Sequence, residues 1–226
     1  MNLNGEYKAA RLAAIDGLTV TDRTYNLIIG LVVLWGLLVN FLMCRLLAVQ
    51  ILSMNYLVVL IAYFAGSLAG MFIVYRSPSA AVSFLGFTLL AVAMGLLLTF
   101  FLSLYSAQSI LLAIRVTGAV TCVMLILSLL WPHFFLSLGR TLLVALIACV
   151  VIQLVFGLLF RVSMGWMDWV VALIFCGYIG YDWAKAQLYP RTVDNAVDSA
   201  ADIYVDIINL FVRVLSIVGR NDSRRN

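Results

Sequence analysis

Apolar residues run continuously for about twenty positions at a time, at roughly 24–44, 55–75, 80–104, 110–131, 141–160, 166–184 and 197–218, each run closed by a charge, a proline or a polar cluster. Run length selects the element. A helix crosses the hydrocarbon core with about 20 apolar residues, whereas the strands of a membrane barrel alternate in polarity over about ten. The pattern therefore predicts an all-α integral membrane protein with seven transmembrane helices. The breaks are short: Arg45 to Met54, Arg76-Ser77-Pro78-Ser79, Ser106 to Ser109, Pro132 to Arg140, Arg161 to Gly165 and Lys185 to Ala196. Connections of that length set neighbouring helices antiparallel.

The acids break the apolar pattern in one place. Between Arg23 and Met167 there is no Asp or Glu, and then seven Asp occur in the last sixty residues. Asp168, between Trp166 and Trp169, is expected at the membrane interface where the sixth span begins. Asp182 lies fourteen residues later, about 21 Å along a helix, at the opposite end of the same span. The seventh span carries Asp198, Asp202, Asp206, Asn209 and Arg213. At 100° per residue these five fall within an arc of about 80°, a polar stripe on an apolar helix.

Such a stripe cannot face lipid, because each ionised carboxylate at mid-membrane costs roughly 2.5–3.5 kcal/mol even on the lenient insertion scale. The seventh helix is therefore expected at the centre of the bundle, its stripe turned inward or toward a watered cavity. Asp198 and Asp202 also suit the headgroup region at a helix start, where the dipole favours negative charge. Asp206 is the functional candidate of the stripe, since its place in the span puts it near mid-bilayer.

Composition agrees: 65% hydrophobic residues, 11% charged and a mean hydropathy of +1.12 exclude a water-soluble globule and a disordered chain. The net charge of +4 is spread singly along the chain, so no basic stripe is available for nucleic acid. Cys44, Cys122, Cys149 and Cys176 lie in apolar runs without a CxxC pair and suggest neither a zinc site nor a disulfide framework. Gly66 and Gly70 form a GxxxG read as close packing of two helices, and Trp131, Trp166, Trp169 and Trp183 mark span ends. His133, beside Pro132, is read as an ordinary solvated loop residue.

The domain reading is a polar leader over 1–23, one bundle over 24–219 and a basic tail over 220–226. Lys8, Arg11, Arg23, Arg76, Arg140, Lys185 and Arg191 fall on one side, with Arg45, Arg161, Arg220, Arg224, Arg225 and the borderline Arg115 on the other. This bias favours a cytoplasmic N-terminus.

Gly180-Tyr181-Asp182, then Tyr204-Val205-Asp206-Ile207-Ile208-Asn209-Leu210-Phe211, then Leu215-Ser216-Ile217-Val218-Gly219, together resemble the C-terminal signature of the Bax inhibitor-1 family, the transmembrane Bax-inhibitor-motif proteins. The match is specific over the last forty residues, and the length is similar to that of a bacterial member, which implies the plasma membrane. The resemblance implies six helices around a seventh and a pH-sensitive calcium leak. It also implies that Asp182 and Asp206 form a hydrogen-bonded pair that closes the pore and senses protons, with Arg76 as its latch. Departures from the family pattern are the lone Arg76 in place of a basic cluster, and Asp198 and Asp202 where neutral residues are expected. Arg213 stands one turn before the family's helix-end arginine, near Ser216, and on the aspartate face, placed to neutralise a carboxylate internally.

Two carboxylates within hydrogen-bonding distance in a low-dielectric interior cannot both ionise cheaply, so they share one proton. Losing that proton, or gaining a second, breaks the tie between their helices. Calcium takes oxygen ligands, and Asp182, Asp206 and Asn209 offer them for transient coordination, with calcium as permeant ion and no resident cofactor. The expected partners are the bilayer, calcium ions, protons and other membrane proteins, and no enzyme activity is expected. Two alternatives stand beside this one. Paired aspartates also suit an intramembrane aspartyl protease, although Ile203-Tyr204-Val205 precedes Asp206 where those enzymes carry Gly-x-Gly. A non-transporting stress modulator acting through partner membrane proteins is the other.

Overall fold

A computed structural model describes residues 19–157 and 165–223. The leader residues Lys8 and Arg11, the loop residue Arg161 and the tail residues Arg224 and Arg225 lie outside them. The described residues form α1 (Asp22–Leu46), α2 (Ala48–Leu52), α3 (Tyr56–Arg76), α4 (Ala80–Leu102), α5 (Ala107–Leu130), α6 (Pro132–Ser137), α7 (Gly139–Val155), α8 (Met167–Ala186) and α9 (Val193–Ser223). This is an all-α membrane bundle, and its seven long helices fall on the seven apolar runs. Four of them, α1, α3, α4 and α5, are long and apolar enough by composition alone to cross a membrane, and α7 is apolar but shorter.

Two breaks are more structured than the sequence suggested. Pro132 does not merely end α5. It occupies the first turn of α6, where its missing N–H has no helical partner to lose. The stretch after Arg45 contains α2. The last helix also starts four residues before the apolar run, so that Asp194 takes the first-turn position favoured by the dipole. Local caps set several starts: Thr21 Oγ1 accepts from the Thr24 N–H, Asn55 Oδ1 from that of Leu57, and Ser106 Oγ from that of Ser109.

The chain divides into two units. The first takes the residues up to Leu104 together with Leu188–Tyr204. Here α3 and α4 pack face to face through the GxxxG: a Cβ on Gly66 would stand 2.8 Å from the Ala93 Cβ, and one on Gly70 2.8 Å from both the Gly86 carbonyl oxygen and the Leu90 nitrogen. The motif is used within the chain, as close helix packing requires. Beside α4, α1 is tied by Trp35 Nε1 to Thr88 Oγ1 at 3.1 Å and by Asn40 Nδ2 to the Ala91 carbonyl at 2.7 Å.

Tyr204, on the N-terminal part of α9, is completely buried. Its hydroxyl donates to Asn40 Oδ1 at 2.8 Å and its ring meets Phe87 edge-on at 5.2 Å. Gly36 makes that possible, since a Cβ there would come within 2.9 Å of the Tyr204 ring. Tyr204→Phe is expected to cost about 1–2 kcal/mol of stability, because Asn40 Oδ1 loses its donor while still enclosed. Thermal unfolding in detergent measures it, and an unchanged midpoint would show that the bond contributes nothing. The stretch before α9 is pinned to the start of α1: the Val20 N–H donates to the Arg191 carbonyl at 2.7 Å, and the Arg191 guanidinium holds Asp22 at 2.8 Å and covers the Tyr25 ring.

The second unit takes Tyr105–Gln187 and the chain from Val205 on. Its organiser is α8, against which α5, α6 and α7 all pack. Small residues allow the approach: Gly180 lies under Phe135 and Gly177 under Leu142, and Ser128 Oγ donates to the Gly180 carbonyl at 2.6 Å. Near the far end of α9, Gly219 gives room to Tyr105, whose hydroxyl lies 3.4 Å from Ser216 Oγ.

The last helix differs from every other long one in its surroundings. From Asp194 to Arg220 none of its residues is exposed, whereas α1, α3, α5 and α7 present Leu34, Leu68, Ile126 and Val144 outward. Burial of the acids along it is what their cost in lipid demands. The four cysteines are free thiols.

Candidate functional site

The acids of α9 divide between the two units. In the first, Asp194 Oδ1 accepts from Ser83 Oγ at 2.8 Å, Asp202 Oδ1 accepts from the Tyr75 hydroxyl, and Asp198 is buried. Asp198 therefore does not occupy a solvated helix start; Asp194, one turn earlier, takes that place. Tyr75 is the residue before Arg76, so the end of α3 supplies a neutral donor to the stripe. Arg76 is exposed, and its guanidinium lies 5.6 Å from the centre of the Phe72 ring on its own helix.

The second unit holds Asp206 and Asp182. Asp206 is 6% exposed on α9. Asp182, on the last turns of α8, accepts from Lys185 Nζ at 3.1 Å, and that ammonium also lies 5.6 Å from the Tyr181 ring centre. The charges of both carboxylates act on the Tyr178 phenol, one helical turn before Asp182. Asn209 Nδ2 is held by the Val205 carbonyl of its own helix at 2.8 Å.

The opposite end of α8 carries a second charged cluster. Asp168 Oδ1 accepts from Arg213 Nη1 at 2.8 Å, and Asp168 Oδ2 accepts from Arg220 Nη2. Arg220 also donates to the Gly165 carbonyl at 3.0 Å, and Arg213 Nη2 lies 3.4 Å from Gln153 Oε1. Asp168 stands at the start of α8 between two exposed tryptophans, but its own carboxylate is buried and neutralised by the last helix. Arg213 does neutralise a carboxylate, and the carboxylate is Asp168.

This cluster sets the register of the two helices. They run antiparallel here, because the start of α8 meets the end of α9 while Tyr178 and Asp182 lie toward Asp206. Asp182 is fourteen residues from Asp168, and Asp206 is fourteen from Arg220, about 21 Å in each case. Arg213, the other partner of Asp168, is only seven residues from Asp206, so both carboxylates lie on the same side of the ion pair, Asp182 fourteen residues from it and Asp206 seven to fourteen.

A family model described as inhibitor of apoptosis-promoting Bax1 matches residues 18–223. The chain belongs to this Bax inhibitor family. Among its relatives, Bax inhibitor 1 of Schizosaccharomyces pombe is 31% identical over 136 residues, 58% of this chain and 50% of that protein. Protein LIFEGUARD 2 of Arabidopsis thaliana is 31% identical over 141 residues, 59% of this chain and 56% of the relative. Protein LIFEGUARD 4 of the same plant is 41% identical over 86 residues, 37% and 34% of the two chains. The chain thus spans between about a third and a little over half of the length of the relatives it matches.

Asp182, Asp206, Asn209 and Arg213 share the second unit, and Arg76, Asp198 and Asp202 belong to the first. Three participants were not singled out from the sequence as site residues: Tyr178, Lys185 and Tyr75. The first two carried a usable signal, since they stand at i−4 and i+3 from Asp182 and so share its helix face. Tyr75 carried none, because its partner is 127 residues away. Among the described residues, no three His, Cys, Asp or Glu side chains gather as a set able to hold a metal ion.

Proposed function

We propose that this membrane protein is a pH-sensitive calcium leak, gated by a proton shared between Asp182 and Asp206, and that it is not an enzyme. The observation that carries the reading is the antiparallel run of α8 and the C-terminal part of α9 from their Asp168 ion pairs, with Asp206 buried on α9 and the charges of Asp182 and Asp206 both acting on Tyr178. Two enclosed carboxylates that come together share a proton more cheaply than they hold two negative charges. With one proton between them, α8 and the C-terminal part of α9 are tied. When the proton leaves, like charge separates them and leaves carboxylate oxygens for a hard divalent cation. Arg76 is proposed as a latch on the closed state, and Asp198, Asp202, Asn209 and Arg213 as the polar lining along α9. A cytoplasmic N-terminus is proposed on the distribution of Lys and Arg, and a bacterial plasma membrane on the likeness in length to a bacterial member.

Purified protein in liposomes, with calcium uptake followed against pH, tests this. Wild type is expected to show uptake that varies across the neutral range, and Asp182→Asn and Asp206→Asn to lose most of that variation. An amide carries no exchangeable charge, so neither variant can pass between tied and repelled states. A profile for Asp206→Asn that superimposes on wild type would remove the shared proton from the mechanism. Absence of uptake by wild type would remove the leak itself.

A further inference from the structure

We propose that Lys185 is a tethered cation that occupies Asp182 in place of the permeating ion and thereby sets the preference for divalent over monovalent cations; this rests on the leak reading above. The ammonium is held on two sides. It donates to Asp182 Oδ1 at 3.1 Å and stands 5.6 Å from the centre of the Tyr181 ring, whose face attracts cations. It sits in the last turn of α8, where the unsatisfied carbonyls of the helix end also favour positive charge.

The occupancy of the two partners differs in a useful way. The Asp182 side chain is 11% exposed and the Lys185 side chain 29% exposed, so the acid is enclosed while the base retains a route to water. Lysine has a flexible four-carbon stem and a compact charge, and it can swing off the carboxylate without leaving its helix.

Calcium binds carboxylate oxygens at about 2.3–2.6 Å, and at that distance from Oδ1 it would be repelled by the ammonium beside it, so the two compete for this oxygen. An ion that takes Oδ1 competes with Lys185 for it. A monovalent ion offers the carboxylate no more charge than the ammonium already there. A divalent ion offers twice as much, so the exchange favours it. Lys185 thus keeps the basal leak small and discriminates by charge, without a rigid cage of ligands.

The test uses the full chain in liposomes at one neutral pH, with calcium uptake and potassium uptake measured separately. Samples are wild type, Lys185→Gln, Lys185→Arg, Asp182→Asn and the double variant Lys185→Gln with Asp182→Asn, each with its melting curve. Lys185→Gln is expected to raise calcium uptake by about fivefold, the upper range for a partly exposed ion pair, and potassium uptake by more, so that selectivity falls. Lys185→Arg keeps the charge and is expected to restore low uptake and selectivity. The double variant is expected to show no rise over Asp182→Asn alone. Uptake by Lys185→Gln equal to wild type overturns the proposal, as does a rise of the same size in the Asp182→Asn background, which would place the action of Lys185 elsewhere. Wild type without cation uptake defeats the leak reading, and the role of Lys185 falls with it.

Discussion

Replacing Asp168 by Ala is expected to lower the unfolding free energy by about 3 kcal/mol, the low end of the cost of removing one partner from an enclosed ion pair. Two guanidinium groups converge on this one carboxylate, so its loss leaves two charges of the same sign facing each other at the start of α8. The low end applies because the Arg220 side chain is 40% exposed and can turn toward headgroups, whereas the Arg213 side chain, at 29%, has less freedom. For a chain of this size that corresponds to a fall of roughly 6–12 °C in Tm. Asp168→Asn keeps an acceptor but no charge and is expected to fall between the two. Thermal unfolding in detergent decides the matter, and a midpoint within about a degree of wild type would mean that the arginines find other partners at no cost. The same variants also test register. If Asp168 fixes the level of α9 against α8, its loss is expected to alter the pH profile of uptake although Asp182 is about 21 Å away along the helix.

Gly70→Val is expected to destabilise the α3–α4 pair by about 2–3 kcal/mol, at the upper end for overpacking. The reason is what the new atoms meet. A Cβ at Gly70 stands 2.8 Å from a backbone oxygen and a backbone nitrogen of α4, and backbone within a helix cannot rotate aside as a side chain can. The two helices must separate along their whole contact. Gly118→Ala is the control, because nothing lies within 4 Å of its Cβ position, and alanine there is expected to be neutral or slightly stabilising. Melting curves of the two variants compare them directly. Equal midpoints would show that α3 and α4 can move apart at little cost.

Much of the fold was legible because a membrane imposes few solutions. A run of about 20 apolar residues has no lower-energy state in lipid than a helix. Even so, two short helices were hidden in what looked like loops, since Pro132 serves as a helix start as readily as a helix stop. The enclosure of α9 was also legible, because a stripe of acids and a lipid-facing helix are incompatible. Asp168 was harder. Its flanking tryptophans pointed to the interface, and nothing local to it announced that Arg213 and Arg220, 45 and 52 residues away, would converge on it. Lys185 looked like one more loop charge counted for orientation, although its spacing of three from Asp182 on a helix already placed the two side chains together.

The amino-acid order alone determined that this chain is a membrane-spanning helical bundle, that its acid-bearing last helix is enclosed, and that Asp206 stands midway along the last apolar run. Each of these follows from solvation: apolar length and charge burial are properties of a segment and need no knowledge of its neighbours. Only the tertiary structure decided which groups neutralise which. Tyr75 with Asp202, Ser83 with Asp194, Lys185 with Asp182 and two arginines with Asp168 depend on the register and rotation of packed helices, which are set by the meeting of small residues such as Gly70, Gly177 and Gly180 with their partners. A shift of one residue turns a helix by about 100° and would exchange every one of those partners.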